Sequence, residues 1–210
     1  MKTKKIIIIV ILLSLVTGCS NSLERAKRSV GLVQDHVTQL IGNISEIQNR
    51  EFDLQKDFEA TIALEKDLSG FKLEDNPLNK NIQARQILLE EMDSSRLKLI
   101  ELCQDLQEIP AHSQLPKDQI DKVIKSTRQL CDNTETYVDG YLNNLHEEDL
   151  TYKSITNKDI DHETFFGVFD NVNTIYTENN MNLDQILGYF ESLNALLVNL
   201  KVYLVNLTGE

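Results

Sequence analysis

The chain has no tryptophan, only three prolines and only eight glycines among its 210 residues. All-β and loop-rich scaffolds need frequent turns, which proline and glycine commonly supply. Their scarcity therefore argues against both kinds of fold.

Residues arranged for catalysis or metal binding are also missing from the sequence. The four histidines, His36, His112, His146 and His162, are never three or four residues apart, and there is no HExxH motif or paired-cysteine zinc spacing. A GxSxG nucleophile motif and a glycine-rich phosphate loop are absent as well. We expect no catalytic, cofactor-binding or metal-binding residues, and hence no enzyme.

Positive charge is in short supply, with 21 lysines and arginines against 33 acidic residues and a net charge of −12. An acidic surface repels nucleic acid, so nucleic acid is not an expected partner. Anionic phospholipids and the teichoic acids of a Gram-positive wall are disfavoured for the same reason. Binding to the wall would therefore need divalent cations, the neutral glycan or a local basic patch.

The N-terminus, in contrast, has a distinct pattern. Lys2, Lys4 and Lys5 precede the apolar run from residue 6 to 15, and small residues and Cys19 follow. This is the layout of a secretory signal peptide, and the apolar run is shorter than the roughly 20 residues that span a bilayer. The segment resembles a bacterial lipobox, which implies cleavage after Gly18 and a diacylglyceryl anchor on Cys19.

The sequence thus predicts a cleaved lipoprotein signal peptide over 1–18 and a single extracytoplasmic domain over 19–210. Loss of the three signal-peptide lysines takes the net charge from −12 to −15. Because a diacylglyceryl group supplies two chains, it anchors a protein stably without any membrane-spanning segment. We expect the protein on the extracytoplasmic face of the cell membrane.

Apolar residues of the domain recur at alternating spacings of three and four, which predicts coiled-coil-like helices. The first stripe, interrupted at Glu51, is Leu23, Ala26, Val30, Val33, Val37, Leu40, Ile44, Ile47, Leu54 and Phe58. We expect this helix to run from Ser22 to Leu68 and to stop at Ser69-Gly70, since glycine commonly follows a last helical turn.

The second helix should begin at Asn76-Pro77, with asparagine as the cap and proline in the first turn. Its stripe is Leu78, Ile82, Leu89, Met92, Leu99, Cys103 and Leu106. Arg85 and Arg96 fall in phase with this stripe. We expect their aliphatic stems to pack at the rim of the bundle while the guanidinium groups reach solvent; an anion site is the alternative.

Pro110 to Pro116 predicts the next turn. The third stripe is Ile120, Ile124, Thr127, Cys131, Thr134, Val138, Tyr141, Leu145, Tyr152 and Ile155. Asp161 ends a polar break and should cap the last helix. The fourth stripe is Phe165, Phe169, Val172, Tyr176, Asn179, Leu183, Ile186, Phe190, Leu193, Leu197, Leu200, Leu204 and Leu207. We expect Asn179 to fix register or oligomeric state, as lone core asparagines do.

Short connections place consecutive helices antiparallel. The sequence therefore predicts an all-α fold, an elongated antiparallel coiled-coil-like bundle of about four long helices. If the chain folds back near residue 113, Cys103 lies level with about residue 123, and its axial gap to Cys131 is ~12 Å at 1.5 Å per residue. That gap exceeds the ~7 Å limit for a disulfide, so we expect two buried thiols, with a disulfide as the alternative.

Several segments resemble the YkyA-like family of cell-wall-binding lipoproteins from Gram-positive bacteria. They are the lipobox at Cys19, the stretch FDLQKDF at 52–58 with LEKDL at 64–68, and KDIDHETF at 158–165 leading into VNTIY at 172–176. The last pair is similar to that family's polar break and final helix. The resemblance covers most of the chain, brings no catalytic residues and implies binding to the cell wall.

We therefore expect a membrane-anchored, non-enzymatic structural or interaction protein at the cell surface, with peptidoglycan as its partner. The alternative is an accessory subunit that binds a protein partner in an envelope complex for secretion, division or transport.

Overall fold

The structure is a computed structural model that describes residues 2–65, 68–110, 115–156 and 162–207, with side chains over 22–65, 68–110, 115–156, 163 and 166–207. Within these ranges the regular structure is entirely helical, which confirms the predicted all-α bundle. The α-helices are α1 (Lys2–Phe52), α2 (Leu54–Ile62), α3 (Pro77–Gln107), α4 (Lys117–Ser154) and α5 (His162–Asn206). A 3-10 helix covers Ser69–Lys72. None of the described helices is long and apolar enough to cross a membrane.

Both predicted ends of the first helix are wrong. The backbone of α1 is helical from Lys2, not from Ser22, because no proline interrupts the residues between them. At its other end α1 stops at Phe52, and α2 follows after the single turn residue Asp53. Helical hydrogen bonds continue across this point, since the Asp53 N–H donates to the Asn49 carbonyl at 3.1 Å. The apolar stripe therefore keeps its phase into α2.

The helical path ends at Ile62, six residues before the predicted end at Leu68, because the chain turns sharply there. Leu68 adopts left-handed backbone angles, with φ 63°. Gly70 approaches the Thr61 carbonyl so closely that an added Cβ would lie 2.7 Å from that oxygen. Any larger residue at this position forces the backbone to shift, so Gly70 fixes the turn from α2 toward α3.

The predicted start of α3 is confirmed. Pro77 is its first residue, and Asn76, 1% exposed, accepts the Asn79 N–H on its side-chain oxygen at 2.8 Å. The Asn76 amide also donates to the carbonyls of Leu73 and Gly70, at 2.8 and 3.2 Å. One side chain thus caps the helix and holds the preceding turn.

The next turn lies where it was predicted, between the end of α3 at Gln107 and the start of α4 at Lys117. The Cys103 sulfur lies 3.9 Å from the Ile124 carbonyl, one residue from the predicted level. Cys103 and Cys131 are both buried and free, as the antiparallel geometry predicts, and burial raises the pKa of Cys103 to about 11. The predicted cap of α5, Asp161, lies outside the described residues.

The chain divides into two compact units, and four of its helices supply residues to both. The first unit comprises Met1–Val37, Leu97–Cys131 and Tyr189–Glu210. Its core contains the predicted seam residues Ala26, Val30, Val33, Val37, Leu99, Cys103, Leu106, Ile120, Ile124, Thr127, Cys131, Phe190, Leu193, Leu197, Leu200 and Leu204.

The second unit comprises Thr38–Arg96 and Asp132–Gly188. Its core contains the predicted seam residues Leu40, Ile44, Ile47, Leu54, Leu78, Ile82, Leu89, Met92, Thr134, Val138, Tyr141, Leu145, Tyr152, Ile155, Val172, Asn179, Leu183 and Ile186. Five other predicted residues are only half-buried: Leu23, Phe58, Phe169, Tyr176 and Leu207. The Phe165 side chain lies outside the described residues.

Phe58 extends the core of the second unit through aromatic contacts. Its ring centroid lies 5.3 Å from that of Phe71, 5.2 Å from Phe169 and 6.0 Å from Tyr152. The tilted and edge-on arrangements are those that aromatic pairs prefer. The first apolar stripe therefore still contributes to the core beyond the break at Asp53.

Candidate functional site

The second unit contains a fully buried ion pair between α3 and α4. The side chains of Arg85 and Glu148 are both 0% exposed. The guanidinium binds the carboxylate through two parallel hydrogen bonds, from Nη2 to Oε1 at 2.6 Å and from Nη1 to Oε2 at 2.9 Å. This is the strong bidentate geometry of an arginine–carboxylate pair.

The prediction that Arg85 reaches solvent at the rim of the bundle is therefore wrong. The guanidinium of an arginine on a buried helical face extends to solvent when no acceptor within the core can replace water as its hydrogen-bond partner. Here Glu148 supplies that acceptor from the facing helix. The alternative of an anion site at Arg85 also fails, since its counter-anion is a side chain of the same chain.

Further hydrogen bonds satisfy the remaining polar atoms around Arg85. Its Nε donates to Asn81 at 2.8 Å, and Asn81, itself 4% exposed, donates to the Asp57 carboxylate and the Arg50 carbonyl, both at 2.8 Å. Its Nη1 also donates to the Tyr141 hydroxyl at 3.2 Å. Buried polar groups are tolerated when they are paired in this way.

Two tyrosines connect the ion pair to α1 and α5. Tyr141 donates its hydroxyl proton to Glu51 at 2.5 Å, and Tyr176 donates to Glu148 at 3.1 Å. The network therefore draws side chains from every long helix that contributes to this unit. It places two carboxylates, Glu51 and Glu148, around the single cation of Arg85.

Burial governs the ionisation of these groups. Loss of water raises the pKa of Glu51, and the hydrogen bond from Tyr141 and the charge of Arg85 only partly oppose this shift. Burial also raises the pKa of Tyr141 and of Tyr176, above the range in which tyrosines ionise in water. Burial is the largest single effect on Arg85 and lowers its pKa, but the charge and hydrogen bonds of Glu148 together with Tyr141 and Tyr176 outweigh it, so the pKa is raised. At neutral pH both tyrosines are donors and Arg85 is a cation.

Sequence reasoning missed Glu148, although a signal was present. Glu148 lies three residues after Leu145 and four before Tyr152, the spacing of the third stripe. Glu51 likewise occupies a seam position between Ile47 and Leu54. In-phase acidic residues on two stripes and an in-phase arginine on a third together indicate a buried pair more strongly than any of them does alone.

The other in-phase arginine behaves differently. Arg96 has a side chain that is 12% exposed, and it pairs with Asp93 at 2.7 Å and with the exposed Glu135 at 3.3 Å. Its guanidinium thus reaches the edge of the core and binds carboxylates there. The predicted rim position is close to correct for Arg96, but the head group is paired, and most of the side chain is buried.

Asn179 is 3% exposed and accepts a hydrogen bond from the Asn144 amide at 2.8 Å. Its own amide nitrogen is buried and has no hydrogen-bond partner within the described residues. It is therefore a buried polar residue, as predicted, and one that pairs with a neighbouring helix. Its role in setting register stays a prediction.

A groove of about 560 Å³ lies between α3 and α4 in the same unit. Three of its lining residues are apolar, Ile82, Leu142 and Leu145. Ile82 and Leu145 are buried and Leu142 is half-buried, so we refer to these three as the apolar floor. Ile82 and Leu145 each lie three residues before a member of the Arg85–Glu148 pair. The bidentate pair thus joins the two helices that line the groove and fixes their spacing.

Polar side chains surround this floor. The α3 side carries three amides, Asn79, Gln83 and Gln86, and the α4 side carries His146, Asp149 and Lys153. Lys153 pairs with Asp149 at 2.5 Å, which neutralises that charge locally. Seven of its ten lining residues are polar or charged, whereas drug-like ligands bind pockets lined mainly by apolar side chains. A groove with this lining suits a polar ligand.

No group of His, Cys, Asp and Glu side chains in the described part of the chain could hold a metal ion. Cys19 lies in α1, but its side chain is outside the described residues, so lipidation at Cys19 stays a prediction. The arrangement found here supports binding in the groove, with the buried network as its scaffold.

No curated protein and no solved structure matches the chain. A family model does match it, over residues 24–200, which is most of its length. The chain belongs to the YkyA family, whose description is "Putative cell-wall binding lipoprotein".

Proposed function

We propose that the protein is a lipid-anchored surface protein that binds the cell wall and carries out no chemical reaction. The anchor is a diacylglyceryl group on Cys19, attached after cleavage behind Gly18, and the helical domain faces the extracytoplasmic side. Peptidoglycan is the proposed partner.

The family match carries this proposal, because the family's description is "Putative cell-wall binding lipoprotein". The matched region starts at residue 24, shortly after the predicted lipidation site. The description names both a lipoprotein and cell-wall binding, so family membership supports both halves of the proposal.

Charge narrows the choice among wall components. The chain without its signal peptide has a net charge of −15, and a protein of that charge is repelled by teichoic acid phosphates. We therefore propose that it binds the neutral glycan of peptidoglycan. Binding should not weaken when teichoic acids are stripped from the wall.

Sedimentation with purified peptidoglycan tests this proposal. The protein should pellet with the wall polymer and stay in the supernatant without it, both with and without teichoic acids. Excess soluble wall fragments should release it, whereas soluble teichoic acid should not. A protein that remains in the supernatant with both wall preparations would contradict wall binding.

Metabolic labelling with a fatty-acid analogue tests the anchor. The chain should carry the label, and Cys19→Ala should abolish it and either release the protein from membranes or leave an uncleaved precursor. Cys103→Ser is the matched control and should keep the label. A labelled Cys19→Ala protein would contradict the proposed site.

One observation favours the alternative, an accessory subunit of an envelope complex. Val198, Val202 and Val205 are 45%, 55% and 44% exposed near the end of α5, and their spacing puts them on one face of that helix. Such a face suits a helix of another protein. Cross-linking from Val202 in intact membranes would capture a defined membrane protein if this alternative holds.

A further inference from the structure

The lining of the groove between α3 and α4 indicates which part of a glycan could bind there, and this inference rests on the proposed wall binding. Its volume of about 560 Å³ falls within the roughly 300–1,000 Å³ of ligand pockets. The Arg85–Glu148 pair joins the two helices through hydrogen bonds of 2.6 and 2.9 Å. The groove is therefore formed before any ligand arrives, which lowers the entropic cost of binding.

The amides of α3 keep hydrogen-bonding capacity for a ligand. Gln83 is exposed and has no hydrogen-bond partner within the described residues. Gln86 donates its amide to Glu90 at 3.0 Å, and Asn79 donates to the Leu73 carbonyl at 3.0 Å. Since both use their NH₂ groups, the side-chain oxygen of Gln86 is left to accept from a ligand, and Gln83 offers both a donor and an acceptor.

The charges of the groove disfavour anionic ligands. Glu74 is one of the lining residues, and Asp149 already neutralises Lys153. A phosphate or a carboxylate would meet Glu74 with no unpaired lysine or arginine among the groove residues. A neutral ligand with hydroxyl groups meets acceptors instead, since carboxylates and amide oxygens bind hydroxyl protons well.

We propose that this groove binds an N-acetylated amino sugar of the wall glycan. An acetamido group combines a methyl, an N–H and a carbonyl. The methyl packs on the floor formed by Ile82, Leu142 and Leu145, and the amide pairs with Gln83 in both directions. Sugar hydroxyls then donate to Gln86 and Glu74.

Saturation-transfer difference NMR tests this proposal on the full-length lipoprotein in detergent micelles, with a soluble tetramer of N-acetylglucosamine as the probe. The strongest transfer should reach the acetyl methyl protons, because they face the apolar floor. A dissociation constant of about 1 mM is the expected scale for one sugar subsite. Tetramers of glucose and of deacetylated glucosamine should give no comparable signal.

Gln83→Ala should weaken binding of the tetramer by about fivefold to a hundredfold, the effect of two lost hydrogen bonds. Gln104→Ala is the matched control, because Gln104 is an exposed glutamine on the same helix but belongs to the first unit. Both changes place alanine at an exposed helical position, which favours the helix. Equal binding by Gln83→Ala and Gln104→Ala would overturn the assignment to this groove.

Sedimentation with peptidoglycan separates this inference from the proposed function. If the unaltered protein pellets and Gln83→Ala pellets equally well, the groove assignment fails while wall binding stands. If the tetramer binds in a Gln83-dependent way but the unaltered protein does not pellet, wall binding fails while the sugar site stands. Absence of any tetramer signal, or an equal signal from the glucose tetramer, would overturn the inference.

Discussion

Replacing Arg85 with methionine should strongly destabilise the protein, because it leaves a buried carboxylate without its cation. Glu148 is 0% exposed, and Arg85 supplies two of its three hydrogen bonds. Methionine fills a similar volume, so a cavity is not the main effect. The loss therefore measures the cost of leaving Glu148 uncompensated.

Removing one partner of a buried ion pair typically costs about 3–5 kcal/mol. Single domains have about 5–15 kcal/mol of total stability, so Arg85→Met should remove a large fraction of it.

Replacing both residues should cost much less than replacing one. Exchanging a buried pair for apolar side chains of similar volume is often neutral or stabilising by about 1–4 kcal/mol. In Arg85→Met/Glu148→Met, Tyr176 loses an acceptor, and Asn81 and Tyr141 each lose a donor, which offsets part of that gain. We expect the double variant to lie within about 2 kcal/mol of the unaltered protein.

Urea unfolding followed by circular dichroism at pH 7 measures the stability of the unaltered protein, of each single methionine variant (Arg85→Met and Glu148→Met) and of the double variant. Glu51 also faces Arg85, so the cycle is repeated with Glu51→Gln to separate the two carboxylates. Lys98→Met is the control on the same helix, since Lys98 and Glu101 are 54% and 64% exposed and such a pair contributes about 1 kcal/mol at most. A cost for Arg85→Met no larger than that for Lys98→Met would refute the reasoning.

Three further predictions concern other parts of the core. Burial raises the pKa of Glu51 in the folded state. At pH values just above the ordinary glutamate pKa of about 4.3, the folded state therefore binds more protons than the unfolded chain. The contribution of Glu51 to the free energy of unfolding falls as pH rises through these values. Glu51→Gln keeps an oxygen for Tyr141. It should raise the unfolding free energy at pH 7 and flatten its change as pH rises above the ordinary glutamate pKa; an unchanged pH dependence in urea titrations would contradict this. Leu197 is 0% exposed, so Leu197→Ala should cost about 2–5 kcal/mol and lower Tm by about 4–20 °C. Val198 is 45% exposed, so Val198→Ala should change stability by no more than about 0.5 kcal/mol. Equal effects of the two changes in calorimetry would show that the buried face of α5 is assigned wrongly. Asn179→Leu should hold or raise stability, because it removes a buried amide nitrogen that has no partner in the described residues. If Asn179 selects one register, this variant should also give additional amide resonances in NMR. A large loss of stability would contradict that role.

Much of this fold could be predicted from the sequence because the apolar repeat is long and strict. A spacing of three and four fixes which helical face is buried, whatever lies opposite. The stripe of α5 is an example, since its residues from Leu183 to Leu204 are buried as predicted. The cap at Asn76 was also predictable, because its hydrogen bonds lie within a few residues of the chain.

The errors concern features that depend on distant residues. The end of α2 follows from the close approach of Gly70 to the Thr61 carbonyl, which the stripe cannot reveal. The burial of Arg85 depends on Glu148, 63 residues away in the chain. The groove likewise needs two facing helices, and neither its amide side nor its apolar floor forms a motif in the sequence.

The buried pair also explains how α3 and α4 find one register. Seam positions seven residues from Arg85 are Leu78 and Met92, both apolar and buried. A slip of one heptad in either direction would set Glu148 against one of these side chains and leave its charge unpaired, at a cost of about 3–5 kcal/mol. Apolar seams alone discriminate poorly among such slips, since leucine packs against leucine in each of them. The Arg85→Met/Glu148→Met variant should therefore keep most of its stability but lose its unique register. NMR should then show additional amide resonances, and binding of the N-acetylglucosamine tetramer should no longer fit a single dissociation constant.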